Sequence, residues 1–135
     1  MLSGHHDKIR QWRNNKSFEI TQKNSVNKVF LVGHLGGRPE GRYTPAGRST
    51  VNFSIATNEA WKQQDGQTIN HTEWHHIVAW DKLADFSQEY LQKGQLLYVE
   101  GRLHTRSWTN KEGNSIKTTE VIASQITPLG TKKEG

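Results

Sequence analysis

Thr72-Glu73-Trp74-His75-His76-Ile77-Val78-Ala79-Trp80-Asp81-Lys82-Leu83 is the stretch that decides how this chain folds. From Glu73 to Trp80 the side chains alternate. Trp74, His76, Val78 and Trp80 share one face; His75, Ile77 and Ala79 share the other. A period of two is the mark of a strand with two unlike sides. Asp81 then reads as a helix N-cap, and Leu83, Phe86 and Tyr90 fall on one helical face before Gly94. A helix over about 82–93 is predicted.

Working outward, Thr50–Thr57 alternates Val51, Phe53 and Ile55 against Asn52, Ser54 and Ala56, again a half-buried strand. Asn58–Asn70 reads as a polar loop with Asp65-Gly66 at its tip, which makes the two strands a long hairpin. Val26–Leu35 is a first strand, closed by Gly36-Gly37-Arg38-Pro39, and Tyr43–Gly47 reads as a turn. Beyond the helix, Leu96–Arg106 and Ile116–Thr127 are strands, with Trp108–Ser115 as an exposed hairpin loop between them. Three strands, one helix and two strands predict an all-β OB-fold: a five-stranded antiparallel Greek-key barrel with a short helix between strands three and four. Barrels of that plan take oligonucleotides or oligosaccharides on their second and third strands and adjoining loops.

The 135 residues suit one small domain, and only 32% are hydrophobic, so its core is modest. The division expected is a flexible basic extension over 1–24, the OB-fold over 25–130, and a short tail over 131–135. The absence of cysteine excludes a disulfide scaffold and a thiolate metal site. The formal net charge is +5, yet residues 25–130 carry eleven Lys/Arg against ten Asp/Glu. The excess therefore sits at the ends, and any polyanion must be held by placed charges and stacking rather than by bulk charge. No apolar run approaches a membrane span and no secretory signal is visible, which points to a soluble protein of the cytoplasm or nucleoid rather than the mitochondrion.

Trp61, Trp74, Trp80 and Trp108 each stand beside polar or charged neighbours, unlike core tryptophans. A flat indole at a wet surface is a platform for an unpaired base of any identity. Lys62, Lys82, Arg106 and Lys111 are the cations expected to guide a nucleic-acid backbone past these rings. Trp12 lies in the extension and carries no such argument. His71, His75 and His76 invite a metal reading, but His75 and His76 face opposite sides of a strand and no carboxylate completes a tetrahedral set, so no metal or other cofactor is expected. No serine or carboxylate pair forms a catalytic constellation, and an enzyme is not expected.

Several separated motifs carry a family likeness: Val26-Asn27-Lys28-Val29-Phe30-Leu31-Val32-Gly33-His34-Leu35-Gly36, Phe53-Ser54-Ile55-Ala56-Thr57-Asn58-Glu59-Ala60-Trp61, Thr72-Glu73-Trp74-His75-His76-Ile77-Val78, Glu89-Tyr90-Leu91-Gln92-Lys93-Gly94, Val99-Glu100-Gly101-Arg102-Leu103 and Thr105-Arg106-Ser107-Trp108. Over about Val26 to Ile126 the chain resembles the bacterial and mitochondrial single-stranded DNA-binding proteins. That resemblance implies base stacking at Trp61, Trp74, Trp80 and Trp108, with the Trp80 position more often phenylalanine in the family. It implies phosphate contacts at or beside Lys62, Lys82 and Arg106. His76 and His104 stand where the family commonly has a permanent cation, which histidine is not. His75 resembles the family histidine at the subunit contact. The implied function is sequence-independent binding and protection of single-stranded DNA in replication, repair and recombination, by a homotetramer. The family's acidic C-terminal tip, which recruits replication and repair partners, has no counterpart in Lys132-Lys133-Glu134-Gly135. Two further readings keep the fold: an OB accessory protein acting mainly through protein contacts, and a module for structured RNA or oligosaccharide.

Overall fold

Alternation builds the wall of the molecule. In the computed structural model, which describes residues 22–130, the elements are β1 (Val29–Leu35), β2 (Glu40–Tyr43), β3 (Ser49–Lys62), β4 (Thr68–Trp80), α1 (Asp81–Tyr90), β5 (Leu96–Thr109) and β6 (Ser115–Pro128). The expectations for residues 1–21, Trp12 among them, and for 131–135 fall outside the described residues.

Val51, Phe53 and Ile55 of β3 and Ile77 and Ala79 of β4 point inward and are buried, joined by Leu35, Leu97, Val99, Val121, Ala123 and Ile126. Burying each large aliphatic side chain is worth about 1.5–3 kcal/mol, so this ring of β-branched and leucine side chains holds the barrel shut. The strands run β1-β5-β6-β4-β3, and β3 returns to β1 through His34↔Ala56 and Leu35↔Ile55. This is the expected five-strand barrel. One of its pairings is parallel, between β4 and β6 at Ile77↔Val121 and Val78↔Ile122. Gly33 lies where β1 passes closest to β3: a Cβ there would strike the carbonyl oxygen of Ala56. A register shift at Glu100/Gly101 lets β5 bend round the barrel.

The structure corrects several boundaries. β2 was not expected; it pairs with the start of β3 over Glu40↔Asn52 to Tyr43↔Ser49, all four of its residues exposed. The 58–70 stretch is mostly strand, not loop: β3 and β4 stay paired out to Lys62↔Thr68 and only 63–67 turns. Trp61 therefore sits on a strand. Trp108 does too, since β5 extends to Thr109 and the turn spans 110–114.

Asp81 is not the N-cap. Trp80 holds that position without a side-chain cap bond, and Asp81 opens the first turn with φ +56°. The helix ends at Tyr90, before Gly94, because Leu91 turns extended and buries its side chain. The buried helical residues are Ala84 and Ser87, with Leu83 and Phe86 packed beside the core. Tyr90 instead lies exposed, its ring 5.2 Å from that of Phe86. Ser49 Oγ–H donates to Asp85 Oδ1 at 2.7 Å, tying α1 to the start of β3. No helix among the described residues is long and apolar enough to cross a membrane.

Candidate nucleic-acid interface

The inward set of β3 and β4 obliges the other set to face out. Trp74, His76 and Trp80 emerge on the outer wall with Asn52 and Ser54 between them, as the register Thr50↔Trp80, Asn52↔Val78, Ser54↔His76 and Ala56↔Trp74 requires. Here Gly36, Gly37 and Arg38 from the β1–β2 connection and Glu40 at the start of β2 line an open groove with Asn52, Ser54, Trp74 and His76. The ring of Trp74 rests over Gly36, where a Cβ would come 2.5 Å from Cζ3. The residue stays 57% exposed, its indole presented to solvent. His76 Nε2–H donates to Asn52 Oδ1 at 3.0 Å, which fixes the imidazole on the groove floor.

Trp80 differs from Trp74. It is half-buried, and the guanidinium of Arg48 lies over its ring, 4.5 Å from the centroid. Arg48 is held there by a two-pronged pair with Asp81, Nε–H to Oδ1 at 3.2 Å and Nη2–H to Oδ2 at 2.9 Å. The hydrogen bond from Arg48 is the chief cause that holds the Asp81 carboxyl below its ordinary range, with partial burial working against it.

Trp61 and Trp108 stand on two arms that leave the barrel. Trp61 pairs with Ile69 near the tip of the β3–β4 ribbon and is 49% exposed. Because the register runs unbroken, Trp61 shares the side of Ile55 and Ile77, opposite that of Trp74 and Trp80. Trp108 pairs with Ile116 on the β5–β6 ribbon, and its Nε1–H donates to Thr118 Oγ1 at 2.9 Å. That bond lays the indole along the strand with 43% of the residue exposed. His104 and Arg106 share its face by alternation.

The cations are unequal. Lys62 at the end of β3, Lys82 in the first turn of α1 and Lys111 in the β5–β6 turn are exposed and make no ion pair among the described residues. Arg106 donates Nε–H to Glu120 Oε1 at 3.1 Å. That carboxylate is buried at 7% exposure while the arginine is 48% exposed. His104 is exposed. His75 lies on the opposite side of β4 from Trp74 and His76, half-buried, its Nε2 2.9 Å from Thr57 Oγ1. His71 pairs with Glu73 at 3.1 Å, and no group of three or more His, Cys, Asp or Glu side chains able to hold a metal comes together among the described residues.

Sequence reasoning missed Arg48, Gly36, Asn52 and Glu120. Their importance arises only from pairings between distant segments, and no local pattern announces it.

Residues 26–129 match the Single-strand binding protein family. The chain is 50% identical over 111 residues to Single-stranded DNA-binding protein 1 of Chlorobaculum tepidum, covering 82% of this chain and 68% of that protein. It is 43% identical over 110 residues to the single-stranded DNA-binding protein of Neisseria meningitidis serogroup A, again over 82% of this chain but 63% of the relative's length. Among solved structures, the Plasmodium falciparum SSB complex with ssDNA superposes with a TM-score of 0.71 at 34% identity, covering 82% of this chain and 100% of that one. A deletion mutant of the Thermus aquaticus single-stranded DNA binding protein gives 0.69 at 34% identity, covering 78% of this chain and 51% of that one.

Proposed function

The chain belongs to the single-strand binding protein family, and from that premise we propose that it binds and protects single-stranded DNA without regard to sequence, in replication, repair and recombination. The activity is binding without catalysis. Bases stack at Trp61, Trp74, Trp80 and Trp108. Lys62, Lys82, Arg106 and Lys111 take phosphates, with His76 and His104 beside the path. Each stacked base contributes about 1–3 kcal/mol and any base will serve. A duplex conceals its base faces and offers these rings nothing to stack on.

The observation that carries this reading is the Trp74 platform: a half-exposed indole seated on a glycine, beside an open groove floored by Asn52, Ser54 and His76. A ring packed for stability alone would bury its plane; this one presents it.

The chain works as a homotetramer. On β1, Phe30 and Val32 point outward from the barrel at 62% and 52% exposure, an exposed apolar strip. Identical surfaces meeting about a two-fold axis would cover it. His75 belongs to the same assembly rather than to the DNA path. The place of action is the nucleoid or cytoplasm.

Titration of tryptophan fluorescence with oligo-dT, at low and high salt and with a duplex control, tests the reading. Saturable quenching by single strands alone is expected, with a slope of log K on log salt near −0.7 for each phosphate neutralised. Equal quenching by duplex, or none by oligo-dT, overturns it.

A further inference from the structure

We propose that Thr118 is a positioning residue for single-strand binding: its hydroxyl holds the Trp108 indole, before any DNA arrives, in the orientation in which the ring meets a base. The inference rests on the single-strand reading above and adds to it a residue that acts through another.

Three observations converge. First, Trp108 is the tethered indole of the four. Its Nε1–H donates to Thr118 Oγ1 at 2.9 Å, whereas the ring N–H groups of Trp61, Trp74 and Trp80 donate to no partner among the described residues. An indole has a single donor, so this bond uses it up and leaves the ring only its faces to offer. With 43% of Trp108 exposed, water would satisfy that donor as well. What the threonine adds is direction.

Second, the bond is diagonal. Ile116 stands opposite Trp108, and Thr118 stands opposite Arg106. Arg106 in turn bonds Glu120, which stands opposite His104. Both β5 side chains thus lean two residues along β6, away from the tip and toward the barrel, on one face of the arm. Diagonal neighbours across an antiparallel pair lie within reach of aromatic and long side chains. Thr118, bonded to the ring and facing the arginine, keeps a base platform beside a phosphate ligand.

Third, the arm that carries them is already fixed. Asn110 Oδ1 accepts from the backbone N–H of Glu112 at 3.0 Å and of Asn114 at 2.9 Å, closing the turn. Thr105 and Thr119 bond across the opposite face at 2.8 Å. Rotation of the Trp108 side chain is the freedom left over, and Thr118 removes it. A side chain that has to be immobilised on binding weakens that binding about two- to tenfold; one held beforehand does not.

In the DNA-free protein, NMR should show the Trp108 indole proton exchanging with solvent several-fold more slowly than those of Trp61 and Trp74. Thr118→Val should abolish that difference and weaken oligo-dT binding about two- to tenfold. The salt slope should not change, because no phosphate contact is lost. Thr118→Ser keeps the hydroxyl and should restore both exchange and affinity. A merely structural role gives the reverse order, since valine suits a strand better than serine does. In a Trp108→Phe background, which has no indole donor, Thr118→Val should cost nothing further.

Parent affinity in Thr118→Val, a loss in Thr118→Ser as large as in Thr118→Val, or an undiminished loss in the Trp108→Phe background overturns the inference and leaves the single-strand reading intact. No binding of oligo-dT by the parent overturns both.

Discussion

Arg106 reaches across the β5–β6 ladder to Glu120, Nε–H to Oε1 at 3.1 Å, and of the two charges only the carboxylate is buried. The pair orients the arginine toward the Trp108 face while cancelling part of its charge. Glu120→Gln keeps the acceptor and removes the charge. It should cost about 1–2 kcal/mol of folding stability through the weakened hydrogen bond. Single-strand binding should become more steeply salt-dependent, by up to about 0.7 in slope. Denaturant unfolding and a salt series of oligo-dT titrations read the two effects separately. An unchanged slope would mean that Arg106 makes no phosphate contact.

Gly36 and Gly37 form a natural control pair. A Cβ on Gly36 would press on the Trp74 ring, whereas one on Gly37 meets nothing within 4 Å. Gly36→Ala should tilt the platform and weaken oligo-dT binding about tenfold, within the worth of one stack. Gly37→Ala should bind as the parent does. Equal effects at both positions would deny Trp74 its seat.

The Arg48–Asp81 pair carries a pH signature. The arginine holds the Asp81 carboxyl below its ordinary range in the folded chain. A carboxyl depressed on folding stabilises the fold above its unfolded pKa of about 3.9, and that contribution is lost as pH falls through the lower folded value. Asp81→Asn should therefore lower Tm at pH 7, and the gap from the parent should narrow as pH drops below about 4. A gap constant from pH 7 to pH 3 would exclude the pair as its source.

Phe30 and Val32 test the assembly. Replacing both by aspartate puts two charges on the proposed contact without touching the core, since both side chains already face solvent in one subunit. Light scattering should report a smaller particle with an unchanged far-UV spectrum. A mass equal to that of the parent would move the contact elsewhere.

What could be read from the chain was what burial writes into it. β3 and β4 alternate because one wall is dry, and that pattern placed Trp74 and Trp80 outward correctly. The same logic explains what was missed. Asn58–Lys62 and Thr68–Thr72 are mostly polar, Trp61 and Ile69 apart, because the ribbon has left the barrel and neither face is fully buried, so strand looked like loop. β2 buries nothing and left no period at all. Asp81 carried the chemistry of a cap, but Arg48, distant in sequence, captured its carboxylate. Tyr90 had helical spacing and still faces solvent, because Leu91 fills the space beneath the barrel instead.

The unbroken register of the β3–β4 ribbon sets Trp61 and Trp74 on opposite sides of it. A polymer that touches both cannot lie flat along one side; it has to turn round the ribbon's edge. Short oligomers should thus engage one indole or the other, and affinity should climb in a step once the chain is long enough to round the corner. The minimum footprint is then set by the contour of that detour rather than by the straight-line gap between the rings.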